Sequence, residues 1–298
     1  MTRVLAIFGP TASGKTAVAE AIAERIPAEL VSADSAQIYR GLPVLTNQSG
    51  HPARLVAIWE LAREASVAEY ARLAHAAVDE ILAEGRTPVV VGGTGLYLRA
   101  ALADLDLPPA PEPGVRERFQ RLYDRLGPER AHRLLAERDP AAAADVHPND
   151  RRRVVRALEL SEAGHSLRPP RSALWTAGTR RPTLVFGLEV PRDELARRIE
   201  ERTRAMFEAG VEEEVRAGLR GPLSTTVRKI MGLDEIASLP RVEAEAALSL
   251  RTRRYAAYQR KWMRRIPGLL PVDADRPPSE VADEILALAS ARERLSRH

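Results

Sequence analysis

Cysteine is absent from the 298 residues. That excludes disulfides and cysteine-ligated zinc, and it is consistent with a cytoplasmic home. Long apolar runs are missing too: none reaches the roughly 18 residues of a membrane span. Met1-Thr2-Arg3 leads straight into an apolar stretch, which leaves no room for a signal peptide. Lysine is scarce. Lys15, Lys229 and Lys261 are the only three, and every other basic residue is arginine. A net charge of +4 and a pI of about 9.7 suggest a polyanionic partner. With such lopsided usage, position says more than the total. Residues 1–111 carry net −3, residues 112–181 net +5 and residues 182–298 net +2. The positive charge is concentrated in the middle segment, where it favours a surface for phosphate backbones.

What is present is organised around Gly9 to Thr16, GPTASGKT. The apolar run Val4 to Phe8 precedes it and a helix-like stretch, Ala17 to Arg25, follows. Strand, glycine loop and helix in that order, with G-x-x-x-x-G-K-T spacing, make a P-loop. Its backbone N–H groups and the helix dipole grip a polyphosphate, ATP or another. Lys15 brings a mobile cation and Thr16 a hydroxyl for Mg²⁺. A second short strand, Glu29 to Ala33, ends at Asp34-Ser35-Ala36-Gln37. Ligands sit beyond the carboxyl ends of such strands, so Asp34 is expected to face the crevice of the P-loop.

Ser66 to Glu84 has apolar residues at helical spacing, and Gly85 stops it. Thr87 to Val91 reads as a buried strand that runs into Gly92-Gly93-Thr94-Gly95. An acid at that strand end would help hold Mg²⁺ in many P-loop kinases. Its absence argues against a small-molecule kinase. Helices alternating with strands imply an α/β fold: a P-loop NTPase-like parallel sheet flanked by helices.

A proline-rich break, Leu107 to Pro113, closes the first part. Residues 112–181 read as an all-helical insertion domain between core parts 1–111 and 182–298. Two helices are expected before His147. Asn149 or Asp150 caps a third, which carries Arg151, Arg152, Arg153 and Arg156 while Val154, Val155 and Leu158 pack. Either a solvated face or a phosphate clamp fits that pattern. Thr183 to Val190 returns to strand. Helices follow over 192–209, 211–219 and about 243–265, then a last edge strand near 269–272 and a helix over 279–295. The late helix ends in RTRRYAAYQRKWMRR, seven basic residues without an acid, and its aromatics suit either nucleic acid or a core.

These motifs in this order resemble the tRNA dimethylallyltransferase (tRNA isopentenyltransferase) family. The matching stretches are GPTASGKT (9–16), SADSAQIYRGL (32–42), GGTGLYL (92–98), HPNDRRRVVRALE (147–159), RIEERTRAMFEAGVEEEV (198–215) and YAAYQRKW (255–262). The resemblance implies transfer of a dimethylallyl group from its diphosphate to N6 of the adenine at position 37 of tRNA, in the anticodon stem-loop, with Mg²⁺. Gly9, Pro10, Thr11, Ala12, Ser13, Gly14, Lys15 and Thr16 would hold the diphosphate, with Mg²⁺ on Thr16. Thr94 and Arg202 would stand near it as catalytic residues. Asp34 would take the proton of the adenine amine, and Ser35, Ala36 and Gln37 would line the pocket of the flipped base. Arg116, Arg152, Arg153 and Arg156, with Val154 and Val155 on the same segment, would meet the tRNA. The enzyme is expected to work as a monomer, off the membrane. Some stretches depart from the family pattern. Thr46-Asn47-Gln48-Ser49 stands for Thr-Ala-Lys-Pro, Leu55 to Ile58 for a Pro-His-His segment, and Ala257-Tyr258-Gln259 for Lys-Arg-Gln. These bear on tRNA docking and substrate range more than on the chemistry.

Overall fold

A computed structural model of the chain describes residues 3–105, 107, 112, 114–167, 174 and 176–295. The chain divides into two compact units. One comprises residues 1–104 and 177–298, the other residues 105–176.

The first unit is a six-stranded sheet. In chain order its strands are β1 (Val4–Phe8), β2 (Ala28–Ser32), β3 (Ala53–Arg54), β4 (Thr87–Gly92), β5 (Thr183–Glu189) and β6 (Leu270–Asp273). Across the sheet they run β3-β2-β4-β1-β5-β6, all parallel. The central strands β1 and β4 are buried along their whole length. Continuous apolar runs such as VLAIF and PVVV are what such doubly covered strands require. Helices α1 (Lys15–Ala23), α2 (Val67–Ala83) and α3 (Gly95–Leu102) connect the early strands. Ser66 caps α2, its side chain accepting from the Glu69 N–H at 3.0 Å. Gly85 ends it with φ +72°, a left-handed turn that glycine takes without Cβ strain.

The second unit is helical throughout its described residues: α4 (Val115–Leu126), α5 (Pro128–Arg138), α6 (Pro140–Asp145) and α7 (Arg151–Glu162). It has a core of its own, built from Phe119, Tyr123, Leu135, Val154 and Leu158. Each such side chain contributes roughly 1.5–3 kcal/mol when fully buried. Three helices stand before His147 where two were expected. Asp139 restarts the chain: its carboxylate accepts from the Ala142 N–H at 3.0 Å, and Pro140 fits the first helical position. Asp150 caps α7 by accepting from Arg153 N–H.

The limits 112–181 are corrected to 105–176. Arg180 and Arg181 belong with the sheet unit because both pair with Asp79 of α2, at 3.0 and 2.8 Å. Of the proline-rich break only Leu107 and Glu112 fall among the described residues; Pro108 to Pro111 and Pro113 lie outside them, as do 168–173 and Trp175.

After β5 come α8 (Arg192–Glu208), α9 (Val211–Leu219), a 3₁₀ turn (Val227–Lys229), α10 (Leu233–Ser238), α11 (Arg241–Met263) and, past β6, α12 (Pro278–Leu295). No helix among the described residues is long and apolar enough to cross a membrane.

Candidate functional site

The carboxyl ends of β1, β4 and β2 lie side by side, and each runs into a loop of the site. β1 gives the P-loop, where Ala12 and Gly14 take φ +64° and +83° and Lys15 opens α1. β4 gives Gly92-Gly93-Thr94, with Thr94 at the N-terminus of α3. β2 gives Asp34. The close approach of these loops requires glycine at Gly92. A Cβ there would stand 2.2 Å from the Ala33 carbonyl oxygen.

Lys15, Thr16, Ser32, Asp34 and Gln37 line one pocket, with Leu30, Ala53, Val56 and Val91 as its apolar side and Ser49 and His51 also on it. The Lys15 ammonium donates to the Pro10 carbonyl at 2.7 Å. Burial lowers its pKa to about 7; the Asp34 carboxylate partly opposes this, and the Arg202 guanidinium adds to it. Arg202, on α8, is itself shifted down by burial, with Asp34 opposing. Its Nε is buried and, among the described residues, has no hydrogen-bond partner, and neither does the Ser13 hydroxyl in the P-loop. Buried donors of this kind call for an acceptor.

Asp34 accepts the Ala36 N–H at 2.9 Å, which fixes the carboxylate at the strand end. The Thr94 hydroxyl lies 3.4 Å from both the Ser35 N–H and the Ser35 hydroxyl. Lys15, Thr16, Asp34, Thr94 and Arg202 therefore belong to one neighbourhood. Gln37 is tied into its own loop: it accepts from the Ser32 hydroxyl and donates to the Thr46 and Asn47 carbonyls.

The insertion residues belong to the other unit. Arg152 and Arg153 are exposed on α7. Arg116 and Arg156 are both engaged, each 3.0 Å from the carboxylate of Glu159, whose side chain is 1% exposed. The Val154 and Val155 side chains lie in the helical core of this unit, where they hold α7 in place.

The late helix also changes its meaning. Arg251 pairs with Glu235 and Arg253 with Glu200, so acids from α10 and α8 offset part of its basic run. Trp262 packs against Gly95, and only Tyr258 of the three aromatics is exposed. Tyr255 turns toward Thr94: burial and the Asp34 charge push its hydroxyl up to about 12, against a hydrogen bond with Thr94. Gln259 is buried between the loops, its Oε1 accepting the Thr11 N–H at 2.7 Å and its Nε2 donating to the Gly93 carbonyl at 2.8 Å. Periodicity marks Tyr255 and Trp262, whereas a lone glutamine in a basic run carries no such signal.

Family models described as IPP transferase and isopentenyl transferase match residues 37–266 and 2–56. A tRNA dimethylallyltransferase of Thermobifida fusca is 40% identical over 92% of this chain and 91% of its own. The chain belongs to the tRNA dimethylallyltransferase family. A family member of Streptomyces coelicolor is also 40% identical, over 89% of this chain and 88% of its own. The solved full-length tRNA isopentenylpyrophosphate transferase of Bacillus halodurans is 30% identical, with a TM-score of 0.70 and full coverage of both chains. A eukaryotic dimethylallyltransferase solved acting on tRNA shares the fold at a TM-score of 0.80 and 23% identity. Its parallel sheet flanked by helices is the P-loop NTPase-like fold of these transferases.

Proposed function

We propose that the chain transfers a dimethylallyl group from dimethylallyl diphosphate to N6 of the adenine at position 37 of tRNA, in the cytoplasm, and releases diphosphate. The observation that carries this reading is the shared pocket of Lys15, Thr16 and Asp34. A phosphate gripper and a carboxylate face the same space, as a transfer from a diphosphate to a weak nitrogen acid requires.

The N–H groups at the head of α1, with Lys15, hold the diphosphate. The buried Arg202 Nε and Ser13 hydroxyl, without a partner among the described residues, suit its oxygens. As the allylic carbon–oxygen bond breaks, the bonding pair leaves with the diphosphate, and these cations and dipoles stabilise the charge that gathers there. The lone pair of N6 attacks the allylic carbon. The N6 proton goes to the Asp34 carboxylate, which the Ala36 N–H holds in place. Thr94 and Ser35 form the neighbouring hydroxyl pair and orient the acceptor side.

Mg²⁺ fits this donor set. Thr16 offers a hydroxyl beside Asp34, and among the described residues no cluster of three acidic or histidine side chains would cage an ion without substrate. Thr16 would hold the ion, which would supply positive charge beside the leaving group. Arg152 and Arg153 contact the RNA backbone, and Arg116 and Arg156 do so from their seats on Glu159. A single copy of the chain suffices for these steps.

The test is transfer of label from dimethylallyl diphosphate to unmodified tRNA with Mg²⁺, run beside an ATP arm with small acceptors. Label retained on tRNA without ATP turnover supports the reading. ATP turnover without transfer overturns it.

A further inference from the structure

One side chain of α11 reaches both loops that flank the phosphate site. Gln259 is 2% exposed, and its carboxamide spans the Thr11 N–H and the Gly93 carbonyl. Thr11 follows β1 and Gly93 follows β4, two strands that the sheet sets next to each other. The fit around the amide is tight: a Cβ at Gly93 would come within 2.2 Å of Nε2. Tyr255 and Trp262 lie four residues before and three after, on the same helix face, and meet Thr94 and Gly95. The face of α11 is therefore docked along the whole Gly93-Thr94-Gly95 turn.

The chemistry of the contact is selective. One end must accept and the other donate, and a carboxamide does both from a single planar group. A glutamate of the same shape offers two acceptors when ionised and would face the Gly93 carbonyl with like charge. Leaving either buried main-chain group unmade costs more than the bond itself gains.

We infer that Gln259 is a positioning residue for the diphosphate site, locking the P-loop to the turn that carries Thr94. By occupying the Thr11 N–H it keeps the first half of the loop out of phosphate binding. The anion is left to the N–H groups at the head of α1, beside Lys15. It also sets the span between those groups and the Thr94 hydroxyl. The assignment rests on the reading of the P-loop as a diphosphate seat.

The test compares Gln259→Glu with Gln259→Met and the wild-type chain. The readouts are the Kd of inorganic diphosphate with Mg²⁺ and single-turnover transfer, each at about pH 8 and about pH 5.5. A protonated glutamic acid is the isostere of glutamine and can donate to Gly93, whereas the ionised form cannot. Burial raises that carboxyl's pKa toward the lower test pH. Lys15, Asp34, Arg202 and Tyr255 face the site in all three proteins, so their contributions cancel when each variant is divided by wild type. At the higher pH, Gln259→Glu is expected to bind diphosphate about tenfold weaker or worse, recovering to within about threefold of wild type at the lower pH. Gln259→Met stays weak at both. A role in packing alone gives no such recovery. Equal diphosphate affinity for wild type and Gln259→Glu at the higher pH overturns the inference, and so does parallel behaviour of the two variants. Should Gln259→Glu fail to fold, Gln259→Met decides, and a wild-type Kd in that variant overturns the inference. Wild-type chain that binds diphosphate with this pattern but transfers nothing to tRNA overturns the prenyl-transfer reading and leaves the clamp standing. Wild-type chain that binds no diphosphate overturns both.

Discussion

Binding of the diphosphate substrate should draw a proton out of solution, and Lys15 should be the group that takes it. In the unliganded chain its pKa sits at about 7 against an ordinary 10.5, chiefly because burial disfavours the charged form. At pH 8 such a group is only about one-tenth protonated. A polyanion beside it restores the charged form, so binding takes up ~0.9 proton at pH 8, ~0.5 at pH 7 and ~0.1 at pH 6. The sign for stability runs the same way. Between about 7 and 10.5 the unfolded chain holds the proton and the folded chain does not, so Lys15 makes the unliganded protein more stable as pH rises through that window. The assay is calorimetric titration of dimethylallyl diphosphate with Mg²⁺ in buffers of differing ionisation enthalpy. The slope of apparent enthalpy against that quantity counts protons. Lys15→Arg, charged throughout, supplies the ligand's own contribution. Wild-type uptake at pH 8 no greater than that of Lys15→Arg would refute the reasoning.

Other consequences follow from the same geometry. Asp34→Asn should lower single-turnover transfer by roughly 10²–10⁴-fold while diphosphate affinity stays within a few-fold, because a general base acts in the transition state; a loss confined to binding would contradict this. Gly92→Ala places a methyl 2.2 Å from the Ala33 carbonyl oxygen, backbone that cannot step aside. Denaturant unfolding should show about 1–3 kcal/mol of lost stability, and a change within experimental error would sink the argument. Replacing both Arg152 and Arg153 by alanine should reduce the slope of log affinity for tRNA against log salt by about 2, with the chemical step unchanged once tRNA is saturating. An unchanged slope would remove them from the RNA contact.

The parts legible in sequence were those whose cause is local. The P-loop, the Ser66-capped helix and the strand into Gly92-Gly93 each announce themselves through spacing, a cap or a breaker. The stretch from Gly41 to Arg54 did not, because hydrogen bonds with residues far along the chain hold the segment it opens. Glu214 of α9 accepts the Val44 and Leu45 N–H groups, both at 2.8 Å, and Glu64 receives the Thr226 hydroxyl from beyond α9. The two-residue strand β3 inside that stretch is too short for any period to show. Gln48, standing where the family pattern has lysine, donates to the Gln37 and Tyr39 carbonyls and so knits the same loop without a charge. In the insertion, the arginine run on α7 was visible but its division of labour was not. Glu159 draws Arg156 and Arg116 inward from positions three and 43 residues before it. Gln259 was hidden for the same reason: both of its partners lie more than 160 residues from it.

The most direct measurement is a nucleoside map of tRNA after one turnover with labelled dimethylallyl diphosphate. The account predicts label on N6 of the adenine at position 37, none on tRNA carrying guanine there, and a rate that collapses in Asp34→Ala. Label at another nucleotide, or transfer by Asp34→Ala near the wild-type rate, would contradict it.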